Sequence, residues 1–215
     1  MEDPMKPNRP SITHRPLPLT AVKIEDEFWG PRLRVNSTRT VPAIYRHCKE
    51  TGHVDAFALN WKPGDEPKPH IFWDSDFAKW IEGACYSLAT HPNPELEAQL
   101  DEVVKSVISA QQPDGYLNTY YTVVEPENRW SNLRDCHELY CAGHLIEAGV
   151  AHFQATGKRT LLDAVCRYAD YIGETFGVEP GKRRGYCGHE EIELALIKLY
   201  RATQNAHYLR LSEYF

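Results

Sequence analysis

Apolar residues recur at three- and four-residue steps in successive blocks of the chain, and polar turn residues separate the blocks. Phe77, Trp80, Ile81, Ala84, Cys85 and Leu88 make such a face. They predict a helix from Asp74 or Ser75, either of which can cap it, to about Ala89, where His91-Pro92-Asn93-Pro94 ends it. Leu96, Leu100, Val103, Val104, Val107 and Ile108 predict a second helix, Glu95 to Ala110. Leu139, Cys141, Ala142, Leu145, Ile146, Ala148, Gly149 and Phe153 predict a third, His137 to Gln154. Leu161, Leu162, Val165, Cys166, Tyr168, Ala169 and Ile172 predict a fourth, Arg159 to Glu174. A fifth spans about His189 to Thr203, and a sixth runs from Ala206 to Phe215.

The N-terminal part is less periodic. Residues 1–18 are rich in proline and polar groups and predict an extended or disordered arm. Leu19 to Ile24 alternates weakly, as a short strand or an extended segment. Phe28-Trp29-Gly30-Pro31 reads as a turn. Arg32 to Thr51 reads as a helix broken or started near Pro42. Residues 52–70, 111–136 and 175–188 are loops, and Pro113-Asp114-Gly115 inside Gln111–Leu117 is a turn.

The helices pair into a repeat. KWIEGACYSLATHPNPELEAQL, LIEAGVAHFQATGKRTLLDAVCRYADYI and IELALIKLYRATQNAHYLRLSEYF each hold a helix ending in Ala-Thr, a short turn and a second helix. The fold class is therefore all-α, a stack of helical hairpins over residues 19–215. Stacked hairpins make an open solenoid or a closed α/α toroid. Long loops gathered on one rim favour the toroid, which closes with about six hairpins. Three hairpins correspond to about half of such a barrel, incomplete at the C-terminus, and predict the N-terminal part of a longer design.

Composition narrows the function. A formal charge of −6 and no Lys/Arg cluster beyond Lys182-Arg183-Arg184 argue against a nucleic-acid partner. No apolar run reaches membrane-span length, and the N-terminus has no signal-peptide core, which predicts a cytoplasmic protein with no membrane partner. The six cysteines include no CxxC pair and read as free thiols. Five Trp and twelve Tyr could line a sugar site or fill the core. Trp80, Tyr86, Tyr140 and Phe153 read as core.

Chemistry-bearing residues concentrate in RWSNLRDCHELYCAGHLIEAGVAHFQA, at the mouth of the third helix. His137 there and His189 one repeat later are either pocket residues or helix-start residues bonded in the core. His144 reads as a satisfied core histidine. Glu190, Glu191 and Glu193 could be the paired carboxylates of glycoside chemistry. Carboxylates in a first helical turn also complement the helix dipole, and that reading covers Asp135 and Glu138 as well. His137, Cys141, His144 and Cys136 do not have the spacing of a tetrahedral metal site.

WDSDFAKWIEGACYSL, QQPDGYLNTYYT, RWSNLRDCHELYCAGHLIEAGVAHFQATGKR and GHEEIELALIKLYRAT together resemble the β-L-arabinofuranosidase family of glycoside hydrolases, from about residue 17 to the end of the chain. The resemblance implies an N-terminal (α/α)6 barrel followed by β-sandwich domains. It implies removal of terminal β-L-arabinofuranose from glycans with retention, by a cysteine nucleophile on a zinc ion held by Glu and Cys, with a separate Glu as acid/base. None of Cys48, Cys85, Cys136, Cys141, Cys166 or Cys187 matches the family's zinc–cysteine motif. No catalytic residue or metal ligand is carried over, no cofactor is predicted on this chain, and the chain alone is expected to be inactive. Part of the sugar pocket does carry over, at His137 and His189, with Asp74, Gln112 and Tyr116 as weaker candidates. The partner implied is an arabinofuranoside carbohydrate. The rival expectation is a non-catalytic helical-repeat binding or assembly module, with possible self-association through an open half-barrel.

Overall fold

The structure, a computed structural model, describes residues 17–215. The predicted N-terminal arm lies outside them apart from Leu17 and Pro18. The described residues contain nine α-helices and no strand: α1 (Trp29–Val35), α2 (Val41–Glu50), α3 (Trp73–Thr90), α4 (Pro94–Ser109), α5 (Tyr120–Val123), α6 (Glu138–Thr156), α7 (Thr160–Thr175), α8 (Ile192–Thr203) and α9 (Ala206–Tyr214).

Three hairpins, α3/α4, α6/α7 and α8/α9, form two layers. The first helices α3, α6 and α8 lie side by side, with α6 in the middle. α4 and α7 pack behind α3 and α6, and α9 behind α8. α6 is buried on almost every side, because it meets α3, α7 and α8 at once. Leu139, Leu145 and Ile146 are fully buried there, each contributing about 1.5–3 kcal/mol. The repeated Ala-Thr has a physical cause. The hydroxyls of Thr156 and Thr203 donate to the carbonyls of His152 (2.7 Å) and Leu199 (2.8 Å), and Thr90 reaches Tyr86 at 3.3 Å. Each adds a second donor to a carbonyl one turn back, the local back-bonding by which a threonine hydroxyl is satisfied at a helix end. Asn93 and Asn205 then cap the returning helices, accepting from the backbone N–H of Glu95, Leu96 and His207.

The three first helices run the same way. Phe72 and His137, at the starts of α3 and α6, meet with ring centres 5.3 Å apart, and Tyr140 meets His189 at 4.6 Å. Their N-terminal ends, with the loops that precede them, therefore open on one side.

The N-terminal segment departs from the expectation. Phe28–Pro31 is no separate turn. Asp26 accepts from the backbone N–H groups of Phe28, Trp29 and Gly30, and that cap starts α1 at Trp29. As expected, a helix starts near Pro42: α2 begins at Val41 with the proline in its first turn, and a π-turn at Asn36–Thr40 joins it to α1. Leu19–Ala21 is a single 3-10 turn, not a strand.

Candidate functional site

Two buried carboxylates shape the loop between α4 and α6. Asp74, in the first turn of α3, accepts from the Thr119 backbone N–H (2.7 Å) and hydroxyl (2.6 Å). Glu138, the first residue of α6, accepts from the Tyr116 hydroxyl and the Trp130 N–H, both at 2.5 Å. Burial pushes Asp74 up to about 6 and Glu138 up to about 7, against the hydrogen bonds that pull both down. The Arg129 guanidinium lies 3.7 Å from the centre of the Tyr116 ring and pairs with Asp114 at 2.9 Å. The loop is thus tied to the helices at Thr119, Tyr116 and Trp130. Of the weaker candidates, Asp74 and Tyr116 are buried and bonded within the protein. Gln112 is half-buried in the turn: its N–H donates to the Tyr116 carbonyl and its amide to that of Ala110.

This anchored loop delivers His137 at the N-cap of α6 in a left-handed conformation, φ 55°. His189 does not begin a helix as predicted: it is exposed on the loop three residues ahead of α8. The loop bearing it lies against the loop before α6. A Cβ on Gly188 would sit 2.1 Å from the Arg134 carbonyl oxygen, so only glycine permits the approach. The two imidazoles consequently face each other edge-on at 5.9 Å, and Tyr140 touches both, 5.9 Å from His137 and 4.6 Å from His189. Burial, and then the neighbouring His189, push the pKa of His137 down, which leaves a neutral ring at pH 7. Its Nδ1 is shut off from solvent and has no hydrogen-bond partner.

The polar stripe continues down α6 as His137, Tyr140, His144 and Glu147, at steps of three and four residues. Tyr140 is half-buried in this stripe rather than in the core, with Lys79 over its face at 4.9 Å. His144 is not a satisfied core histidine: neither ring nitrogen makes a hydrogen bond. Its Nδ1 lies 3.3 Å from Glu147 and 3.4 Å from Glu191. Lys198 of α8 pairs with Glu147 and with Glu82 of α3, and the Tyr86 hydroxyl donates to Glu82 at 2.6 Å. Glu191 enters because Gly143 has no side chain. A Cβ there would lie 2.7 Å from the Glu191 Cγ and 3.2 Å from the Ile192 nitrogen. Glu191 is thus engaged in a side-chain cluster, beyond any role in complementing a helix dipole. Cys136 and Cys141 do not join it. The group that gathers is His144, Glu147 and Glu191.

Two histidines and a tyrosine at the mouth of aligned helices, one imidazole neutral, can exchange hydrogen bonds with vicinal hydroxyls and stack on a small ring. The profile of the GH127 β-L-arabinofuranosidase catalytic domain matches residues 21–215. The chain belongs to this family. It is 46% identical over 154 residues to the non-reducing end β-L-arabinofuranosidase of Bifidobacterium longum subsp. longum, covering 70% of this chain and 23% of that protein. Its fold is similar to the crystal structure of a GH127 β-L-arabinofuranosidase from Geobacillus stearothermophilus T6, with TM-score 0.86, 49% identity, and coverage of 90% of this chain and 32% of the other. A second GH127 β-arabinofuranosidase structure gives TM-score 0.87, 40% identity, and coverage of 93% and 33%. The chain therefore spans about a quarter to a third of the length of these GH127 relatives.

The thiol-and-zinc chemistry that the family resemblance implies does not fit the cysteines of this chain. Burial pushes the thiols of Cys48, Cys85, Cys141, Cys166 and Cys187 up, Cys85 to about 12, whereas a thiol nucleophile is held low. The three-residue group contains no cysteine. No step of that chemistry is assigned to this chain. Among the described residues, no helix is long and apolar enough to cross a membrane.

Proposed function

We propose that this chain supplies the sugar-binding side of a β-L-arabinofuranosidase, half of an α/α barrel whose rim holds a terminal arabinofuranose. The observation that carries this reading is the convergence of His137 and His189, from loops in successive repeats, at 5.9 Å with Tyr140 beside both. The neutral His137 ring can offer its Nε2 to a sugar hydroxyl, as donor or acceptor according to tautomer. The Tyr140 ring offers an apolar face to the C–H side of the furanose. Glu138 and Asp74 act through the loop that positions His137 and do not reach the ligand. Because its buried thiols are held protonated, the 215-residue chain binds arabinose without hydrolysing arabinofuranosides. An aryl β-L-arabinofuranoside, zinc and a reductant test this together with calorimetric titration of L-arabinose. The expected outcome is saturable binding, weakened at least tenfold by His137→Gln or His189→Gln, with no aryl alcohol released. Hydrolysis, or unchanged binding in both variants, would overturn the reading.

A further inference from the structure

The lower part of the α6 stripe is chemically unlike the rim. His144 Nδ1, a Glu147 carboxylate oxygen and a Glu191 carboxylate oxygen lie within 4.8 Å of one another, drawn from the middle of α6 and the segment leading into α8. The nitrogen is 3.3 Å from Glu147 Oε2 and 3.4 Å from Glu191 Oε1. These are the edges of a tetrahedron around zinc: ligand bonds of about 2.0–2.2 Å place neighbouring donors roughly 3.3–3.6 Å apart.

A second observation is independent of that spacing. His144 Nδ1 and Glu191 Oε1 are closed off from solvent, and neither makes a hydrogen bond, although they are each other's neighbours. Buried polar atoms are ordinarily paired, so these two lack a partner of another kind.

Charge points the same way. Three carboxylates, Glu82, Glu147 and Glu191, surround one ammonium, Lys198. Acidic side chains outnumber the single cation in a largely enclosed space, an excess that a divalent ion offsets. Lys198 engages Oε1 of Glu147 and leaves Oε2 toward His144. The lysine thus orients one donor from behind, as outer groups around metal ligands do. The Glu193 carboxylate accepts from the Glu191 backbone N–H at 3.1 Å and fixes that turn.

We propose that His144, Glu147 and Glu191 form a divalent-cation site, fitted to zinc, with three protein donors and a fourth position for water. The donor set is one imidazole and two carboxylates, which suits zinc and its cobalt(II) substitute better than a hard all-oxygen cation.

The test is a titration of cobalt(II) chloride into chelator-stripped protein, followed by zinc competition. The expected result is one equivalent bound, with visible absorption typical of nitrogen and oxygen donors and no sulfur-to-cobalt charge-transfer band. Zinc displaces it. Glu191→Gln, which keeps side-chain volume, weakens binding at least tenfold, and His144→Ala does the same. Glu190→Gln, at an exposed neighbour, leaves it unchanged. Far-UV circular dichroism checks that each variant is folded, and Glu191→Gln decides if His144→Ala is not. Absence of stoichiometric binding, a thiolate band, or unchanged affinity in Glu191→Gln would overturn the proposal.

Discussion

Removing the Tyr116 hydroxyl isolates the strut that holds the α4–α6 loop. Tyr116 and Glu138 are both fully buried, and their 2.5 Å hydrogen bond has no water to replace it. Tyr116→Phe keeps the ring under Arg129 and deletes one donor to a carboxylate. At pH 8, where Glu138 is ionised, a hydrogen bond to a charged group contributes about 1.5–3 kcal/mol, and in a domain of this size 1 kcal/mol shifts Tm by about 2–4 °C. The expected loss is therefore roughly 3–12 °C. Glu138→Ala costs more, about 3–6 kcal/mol, because it orphans both the Tyr116 hydroxyl and the Trp130 N–H and leaves a cavity. The double variant has no orphaned hydroxyl, so it should fall short of additivity by about 1–2 kcal/mol. Urea unfolding followed by circular dichroism measures all three. A Tyr116→Phe variant within about 0.5 kcal/mol of the parent, or strict additivity in the double variant, would refute the strut.

The two buried carboxylates also set a pH dependence. Asp74 and Glu138 have folded pKa values of about 6 and 7, above their ordinary values of 3.8 and 4.5, so the folded state binds more protons between those limits. Their contribution to stability is greatest in acid, falls as pH rises from about 4 to 7, and is level above that. Urea midpoints at pH 5 and pH 8 should differ by less in Asp74→Asn/Glu138→Gln than in the parent; an unchanged difference contradicts the assignment. Gly143→Ala should destabilise by about 1–3 kcal/mol through overpacking against Glu191 and Ile192, seen as a lower thermal midpoint, whereas an unchanged midpoint would mean the close approach is not needed. Thr156→Val and Thr203→Val should each cost about 0.5–1.5 kcal/mol in urea unfolding, since each leaves a last-turn carbonyl without its hydroxyl; a zero cost would make the repeated threonine incidental.

The hairpins were legible because their periodicity is local: each apolar face is completed within one helix, and Ala-Thr marks each end. Other features depended on distance. Asp26 starts α1 through its side chain, ahead of any periodic residue, so Phe28–Pro31 looked like a turn. By position Glu138 resembles a dipole-complementing acid and Asp74 a helix cap, yet Asp74 is bonded to Thr119, 45 residues away. His189 was readable as a residue type, but its place on a loop is set by the Gly188–Arg134 contact between two loops. The Glu147–His144–Glu191 group needed the approach of α8 to Gly143, which no single-helix pattern contains. One signal was present: His137, Tyr140, His144 and Glu147 form a polar line along an otherwise apolar helix that is buried on three sides.

The central claim is that His137 and His189 act together on one sugar. Imidazole resonances in nitrogen-15 correlation spectra, assigned with the single His→Gln variants and followed as L-arabinose is added, test it most directly. The expected result is that the signals of His137 and His189 move together with one saturation curve while those of the buried His152 stay fixed. Signals that do not move, or that saturate at different concentrations, would contradict a shared site.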